Sequence, residues 1–193
     1  MLLKSILALA LLAGPGFAAE GALTQGPFPD GPGPNLVIDI TGTANGQVVI
    51  DLAADTAPQH AAQIVALAKA GAYDGVIFHR VIEGFMAQTG DVQYGKLDSG
   101  MTQNAGIGGS DLPDIEAEFT NETFARGIVG MARKNSPNTA NSQFFIMFAD
   151  GPFLDGQYTV LGRVVSGMEV VDAIARGEPP ATPDVMTKVT VQE

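Results

Sequence analysis

The sequence contains no cysteine in its 193 residues. That absence excludes disulfide bonds, a thiol nucleophile and a zinc site built on cysteine. Only two histidines are present, His60 and His79, and isolated histidines do not provide the ligand spacing of a metal site. The Gly-x-Ser-x-Gly turn of serine hydrolases and a phosphate-binding loop are also missing. We therefore expect no metal and no cofactor, and a fold that is held together by packing.

Basic side chains are scarce, since 10 lysines and arginines stand against 21 aspartates and glutamates, for a formal net charge of −11. Such a surface repels the phosphates of nucleic acids, which argues against a general nucleic-acid partner. Hydrophobic residues make up 46% of the chain and charged residues 16%. This balance predicts one globular domain with its own core, and we expect it to be a monomer.

The chain begins with an apolar stretch that is too short to span a bilayer. Lys4 provides a positive start, residues 5–13 are apolar, and residues 14–18 offer the small side chains that a signal peptidase requires. A membrane-spanning helix needs about 20 apolar residues. We interpret residues 1–18 as a signal peptide that is cleaved after Ala18 or Ala19. The mature protein is then expected in the bacterial periplasm, without stable insertion in a membrane.

Glycine and proline dominate residues 19–34, which we interpret as a flexible leader to a domain that covers residues 35–193. The domain opens with β-rich runs at 36–40 and 48–52, joined through an Asn-Gly pair that favours a hairpin turn. Further strand candidates have apolar or β-branched residues between turn formers, and they lie at 78–82, 86–89, 128–132, 144–148, 158–165 and 188–191.

Two helices are predicted. Thr56 can cap the first, Gln59 can reach back to complete a capping box, and Gly71 ends it. The second is expected over residues 168–176. His60 then falls on a helix surface, while His79 alternates away from Phe78 and Arg80 in its strand and is interpreted as structural. A glycine-rich connection over residues 91–119 is too long to be idle, and loops of this length often border a binding site.

One segment, Phe78 to Gly90, places an arginine and a glutamine among apolar neighbours with a glycine bend between two short strands. A second segment, Asn141 to Met147, adds another glutamine beside two phenylalanines. Apolar walls with a few convergent polar groups are typical of ligand pockets. The two segments therefore predict the walls of one pocket.

These motifs, in this order, resemble the cyclophilin family of peptidyl-prolyl cis-trans isomerases. The resemblance runs from about Asn35 to the C-terminus and rests on five motifs: Phe78-His79-Arg80, Gly84-Phe85-Met86-Ala87-Gln88, Gly130-Met131-Ala132, Asn141-Ser142-Gln143-Phe144-Phe145 and Leu154-Asp155-Gly156. The sequence pattern alone supports a mainly β fold. The resemblance further implies a closed eight-stranded antiparallel β-barrel capped by two α-helices.

The resemblance also implies roles for individual residues. Arg80 would be the catalytic residue, without cofactor or metal. The substrate-binding residues would be those that line the proline pocket or hold the peptide backbone: Phe85, Met86, Gln88, Ala132, Arg133, Gln143, Phe145, Phe153, Leu154 and Tyr158. Ala132 and Arg133 would offer main-chain groups. Phe153 and Tyr158 depart from the tryptophan and histidine of the better-known eukaryotic members, and Arg133 replaces the usual asparagine.

The implied function is catalysis of rotation about X-Pro bonds in unfolded or flexible polypeptides, which assists protein folding. A proline-peptide binding chaperone on the same fold, which holds its clients without turnover, is the alternative. The intact Arg80, Phe85 and Gln88 favour the enzyme.

Overall fold

The computed structural model describes residues 29–193. The predicted signal peptide and the leader up to residue 28 lie outside the described residues. The end of the leader contacts the domain, because the Gly31 amide donates a hydrogen bond to the Asp51 carboxylate at 3.1 Å. No helix within residues 29–193 is long and apolar enough to cross a membrane.

Nine strands form one antiparallel sheet, in the order β3-β9-β1-β2-β8-β6-β7-β5-β4. Their bounds are β1 Asn35–Thr41, β2 Gly46–Leu52, β3 Val76–Ile77, β4 Arg80–Ile82, β5 Met86–Thr89, β6 Ile128–Met131, β7 Phe144–Met147, β8 Val160–Ser166 and β9 Val185–Gln192. Two α-helices accompany the sheet, α1 Pro58–Lys69 and α2 Met168–Asp172. The predictions of a mainly β fold, two helices and an opening hairpin are confirmed.

The sheet curls, and its two outermost strands, β3 and β4, are consecutive in the chain with only Phe78 and His79 between them. The predicted strand over 78–82 is confirmed for Arg80–Ile82 and wrong for Phe78 and His79, which lie between Ile77, paired with β9, and Arg80, paired with β5. The described sheet therefore has nine strands instead of eight. Its closure into a barrel stays a prediction.

The core is made by the inward-facing residues of the strands and by one face of α1. Leu36, Ile38 and Ile40 alternate along β1 and are almost completely buried, as the period of a strand requires. Ile64 of α1 is fully buried against the same cluster. Each such side chain contributes about 1.5 to 3 kcal/mol by leaving water. A smaller second cluster, around Phe145, lies below the candidate site.

Both helices differ in their ends from the prediction. Ala57, not Thr56, is the N-cap of α1, since the Thr56 and Ala57 amides turn back to the Ala53 carbonyl. Helix α2 ends at Asp172 instead of residue 176, and the Ala175 amide donates to the buried Asp184 carboxylate at 2.6 Å rather than continuing the helix. At α1 a local turn to Ala53 shifts the start of the helix by one residue, and at α2 the Asp184 carboxylate replaces the helical acceptor.

The first amides of α1 find their acceptor in Glu118, on the connection between β5 and β6. The Gln59 and His60 amides both donate to this carboxylate, at 3.1 Å, and the His60 Nδ1 lies 2.7 Å from it. The prediction that His60 is on the surface is wrong, because the residue is fully buried. Burial alone would raise the pKa of Glu118, but the hydrogen bonds from His60 and Gln59 outweigh it and lower this pKa.

We predict that Glu118→Ala lowers the free energy of unfolding by about 1 to 3 kcal/mol at pH 7, because the main chain and ring of the buried His60 lose their partner. Since the folded-state pKa of Glu118 is lowered, its contribution is present above the ordinary carboxyl pKa of about 4.3 and is lost as the pH falls through the folded value. Urea unfolding at pH 7 and pH 3 measures the difference, which should narrow at pH 3. Glu116→Ala, on an exposed residue of the same loop, should have almost no effect at either pH.

Candidate functional site

The hairpin of β4 and β5 supplies the two polar side chains on which the site is built. Arg80 and Gln88 are directly opposed in the antiparallel register, so both project from the same face of the sheet. Gly84 makes the turn between them with φ +67°, a conformation that favours glycine. The local sequence thus fixes an arginine and an amide side by side.

Strand β7 pairs with β5 and brings the second glutamine to the site. The Gln88 Nε2 donates to the Gln143 Oε1 at 2.9 Å. The Gln143 Nε2 in turn donates to the carbonyls of Gly106 and Gly108, at 3.0 and 2.8 Å. With both N–H groups of Gln143 engaged, its oxygen must face Gln88. The Gln88 carbonyl oxygen is then oriented for a further partner.

The buried carboxylate of Asp91 binds the glycine-rich loop whose carbonyls bind Gln143. Asp91 has no exposed surface, and its Oδ2 accepts hydrogen bonds from the Gly106 and Gly108 amides at 2.7 and 2.9 Å. Its Oδ1 accepts from the Gln93 and Tyr94 amides at 3.1 and 2.9 Å. Four main-chain donors satisfy this one buried charge, as burial demands. The long glycine-rich connection is therefore fixed where it borders the site.

Aromatic rings form the apolar wall. Phe145 stacks on Phe124 with ring centres 5.9 Å apart, and Tyr158 meets Phe145 edge-on at 5.8 Å. Gly130 lies behind these rings, where a Cβ atom would overlap both Phe145 and Phe124. The Phe145 ring can occupy this position because glycine has no side chain.

The rim of the site is more exposed. Phe153 leaves 62% of its surface in contact with solvent and packs against Phe85, with ring centres 5.6 Å apart. The guanidinium of Arg133 lies over the Tyr158 ring, 4.3 Å from its centre, and donates to the Gln157 carbonyl at 3.0 and 3.2 Å. Arg133 therefore uses its side chain to build the rim, a role that its predicted main-chain function did not include.

Together these residues surround an open pocket of about 430 Å³. Its lining contains every predicted site residue except Gln143, with Gln157 in addition: Arg80, Phe85, Met86, Gln88, Ala132, Arg133, Phe145, Phe153, Leu154, Gln157 and Tyr158. Gln143 lines a neighbouring pocket of about 580 Å³ that shares Gln88, Ala132 and Arg133 with the first. The structure thus brings the predicted site residues together on one face of the molecule.

The main chain of Ala132 is only partly available. Its amide already donates to the Gln143 carbonyl at 2.9 Å. The carbonyl of Ala132 is the main-chain group that remains to meet a ligand. Of the main-chain groups of Ala132 that were expected to meet a ligand, the amide is already used and the carbonyl is left.

His79 is next to the site without facing it. Its side chain is buried, its ring lies beneath Gly106, and within residues 29–193 neither ring nitrogen has a hydrogen-bond partner. Burial lowers the pKa of His79, although the nearby Asp91 carboxylate acts in the opposite direction. A neutral, packed imidazole agrees with the structural interpretation of this residue.

Sequence reasoning missed three residues of the site: Asp91, Gln157 and Glu178. Asp91 follows a buried strand and opens the glycine-rich loop, a position at which a short acidic side chain often binds nearby amides. Gln157 contributes through its carbonyl, for which a sequence carries no signal. Glu178 contacts Arg80 from almost a hundred residues away, with 2.8 Å between its Oε2 and the Arg80 Nε.

The fold and the pocket define a class: a curled antiparallel sheet that presents an open cleft with an apolar wall, Arg80 and an ordered pair of glutamine amides. The chain belongs to the cyclophilin family, since residues 37–192 match the family model for cyclophilin type peptidyl-prolyl cis-trans isomerases. A probable peptidyl-prolyl cis-trans isomerase of Brucella suis biovar 1 (strain 1330) is 56% identical over 154 residues, which cover 77% of this chain and 79% of that protein.

More distant relatives agree. The peptidyl-prolyl cis-trans isomerase ppi1 of Schizosaccharomyces pombe is 42% identical over 66% of this chain and 78% of its own length. The crystal structure of the cyclophilin AquaCyp293 from Hirschia baltica matches with a TM-score of 0.68 and 29% identity, over 81% of this chain and 73% of that one. A Cryptosporidium parvum cyclophilin type isomerase, crystallised in the presence of the dipeptide ala-pro, matches with a TM-score of 0.70 and 25% identity, over 82% and 99%.

Two of the three pocket phenylalanines, Phe145 and Phe153, should differ sharply in their contribution to stability. Phe145 is 5% exposed and stacked in the second cluster, so Phe145→Ala should lower the free energy of unfolding by about 3 to 5 kcal/mol. Phe153, at 62% exposure, should change it by less than about 0.5 kcal/mol when replaced by alanine. Urea unfolding followed by circular dichroism measures both. Equal losses would contradict this description of the wall and the rim.

Proposed function

We propose that this peptidyl-prolyl cis-trans isomerase uses Arg80 as its catalytic residue, on unfolded or flexible proline-containing polypeptides. The observation that carries the proposal is the position of the Arg80 guanidinium. Arg80 lines the same open pocket as Phe145, and its residue stands directly opposite Gln88 in the hairpin register. An arginine remains protonated over the whole physiological pH range, so it supplies donors to a reacting amide without a proton transfer.

The chemistry asked of this site is the rotation of an amide. Resonance gives the peptide bond a barrier of about 18 to 20 kcal/mol, and X-Pro bonds isomerise spontaneously over tens of seconds or more. As the bond twists, conjugation is lost and the prolyl nitrogen gains a usable lone pair. N–H donors aimed at that nitrogen and at the adjacent carbonyl stabilise the twisted state more than either planar state. This difference in binding is what accelerates the reaction.

The apolar wall complements the arginine. Met86, Phe145 and Leu154 are nearly buried and form the floor on which a proline ring would rest. A bound proline ring would exclude water from the pocket. Water would then no longer screen Arg80, and the interaction of Arg80 with the twisting amide would be stronger. We also propose that the curled sheet closes as a barrel behind the pocket, which would keep this floor rigid.

The polar side of the pocket would hold the peptide backbone. Gln88 is oriented by Gln143, so the Gln88 carbonyl oxygen is the acceptor that a peptide N–H would meet. Ala132 lines the same pocket, and its carbonyl would be a second acceptor for the peptide. Gln143 then acts mainly through Gln88, because its own amide is engaged with the Gly106 and Gly108 carbonyls.

The replacements at Phe153 and Tyr158 do not affect this mechanism. Neither position is required to transfer a proton, and Phe153 still offers an apolar ring to the rim. A binding chaperone on the same fold would need the apolar wall but not an arginine pointed at the amide. The placement of Arg80 favours the enzyme over this alternative.

We predict that Arg80→Ala lowers kcat/KM by roughly 10² to 10³, the usual cost of losing one preorganised electrostatic contact in a transition state. Arg80→Lys should also be poor, because a point charge cannot reproduce the planar fork of donors. A protease-coupled assay on a proline-containing peptide measures the rates, and circular dichroism checks the fold.

Arg126 provides the matched control. It is as exposed as Arg80, at 41% against 42%, and it forms an ion pair with Asp172 outside the pocket lining. Arg126→Ala should therefore leave turnover near the wild-type value. A folded Arg80→Ala protein with normal turnover would show that the proposed catalytic residue is wrong. Retained peptide binding without measurable turnover by the wild type would favour the chaperone.

We further propose that the protein is exported to the periplasm after removal of residues 1–18, and that it acts there as a monomer. The support is the pattern of the first eighteen residues. Intact mass of protein purified from its natural host should correspond to a chain that begins at Ala19 or Glu20. A mass that retains Met1 would refute the cleavage.

A further inference from the structure

A short segment of the chain runs alongside the strand that carries Arg80. The Val81 amide donates to the Gly177 carbonyl at 2.8 Å, and the Gly177 amide donates to the Val81 carbonyl at 2.9 Å. Gly177 has φ +148°, and a Cβ atom there would lie 2.6 Å from the Pro180 Cα. Only glycine fits this close approach, and the two hydrogen bonds to Val81 set the register of the segment against β4.

This register sets two ion pairs, one at each side of Gly177. Glu178 Oε2 accepts from the Arg80 Nε at 2.8 Å, and the Arg176 Nε donates to Glu83 Oε2 at 2.6 Å. Arg176 is also held over the Phe148 ring, 4.2 Å from its centre. The first pair contains the proposed catalytic residue, and the second contains no residue of the pocket lining.

The Arg80–Glu178 contact leaves most of the guanidinium unoccupied by that carboxylate. A guanidinium has five N–H donors, and Glu178 takes the one on Nε. The four donors of the two terminal nitrogens remain for other partners. Arg80 lines the pocket and Glu178 does not, so the carboxylate approaches the guanidinium from outside the cleft.

From this geometry we infer that Glu178 is a positioning residue, which orients the plane of the Arg80 guanidinium so that its terminal donors face a bound X-Pro amide. The inference rests on the proposed role of Arg80. An arginine side chain has many rotamers, and it must be held near its productive geometry if its donors are to act in the transition state. Glu178 follows Gly177, whose main chain is hydrogen-bonded to β4, so its carboxylate is held near Arg80 and supplies that constraint.

The pair contributes little to the stability of the fold. Arg80 and Glu178 are 42% and 53% exposed, and ion pairs between exposed side chains add little to the free energy of unfolding. The effect of Glu178 should therefore appear in catalysis and not in stability, which separates a positioning role from a structural one.

The test measures kcat and KM separately, by exchange NMR on a proline-containing peptide, for Glu178→Ala, Glu178→Gln and the control Glu83→Ala. We expect Glu178→Ala to lower kcat roughly tenfold with little change in KM, less than the full loss of the arginine contact itself. Glu178→Gln retains an oxygen that can accept from the Arg80 Nε, so it should restore most of kcat. Glu83→Ala breaks the other ion pair of the same segment and should leave kcat near the wild-type value.

A double-mutant comparison distinguishes the two proposals. In the Arg80→Ala background, adding Glu178→Ala should cause no further loss, because the group that Glu178 positions is already absent. A normal kcat for Glu178→Ala, beside a strongly impaired Arg80→Ala, would overturn the role of Glu178 and leave that of Arg80 intact. An equal loss in Glu83→Ala would also overturn it, by assigning the effect to the segment as a whole. Normal turnover in Arg80→Ala would refute the proposed catalytic residue itself.

Discussion

The arrangement of the site depends on the buried carboxylate of Asp91, which does not line the pocket. Asp91 satisfies its carboxylate with four main-chain amides, and two of these belong to the glycines whose carbonyls hold Gln143. The order of this hydrogen-bond chain runs from Asp91 through the loop to Gln143 and then to Gln88. A charge that is desolvated and unpaired would be costly, so the loop has one strongly preferred conformation. The orientation of the Gln88 and Gln143 side-chain amides follows from this preferred conformation of the loop.

The two polar sides of the cleft are stabilised by different physics. On the Gln88 side the support is buried and built from uncharged donors and acceptors around one carboxylate. On the Arg80 side it is an exposed ion pair with Glu178. Salt screens exposed charges strongly and buried contacts weakly. Ionic strength should consequently loosen the arginine side of the cleft while leaving the amide side unchanged.

Much of this site could be predicted because its residues carry local signals. The hairpin around Gly84, the pairing of β1 with β2 and the apolar residues near Phe145 follow from turn chemistry and strand patterns. The apolar and polar residues of the two segments predicted one pocket, the family resemblance supplied the roles of Arg80 and its neighbours, and the structure brings these residues together. Roles of individual residues in turnover stay predictions.

The errors share a physical cause, which is competition from partners distant in sequence. Thr56 does not cap α1 because Glu118 receives the amides at that helix end. His60 is buried by the same contact. The break between β3 and β4 arises because Val76 and Arg80 pair with strands on opposite sides, β9 and β5. No local pattern could report these contacts, and neither could one report the main-chain carbonyl of Gln157.

The connection from Asp91 to Phe124 has a kinetic consequence. It is anchored at the site by Asp91, at helix α1 by Glu118, and in the second cluster by Phe124, which is fully buried beneath Phe145. A movement of the whole connection would have to break all three anchors. We therefore expect peptides to enter and leave a cleft that stands open, so that their exchange is limited by diffusion and by the peptide's own conformations. Rearrangement of the whole connection would have no part in the cycle.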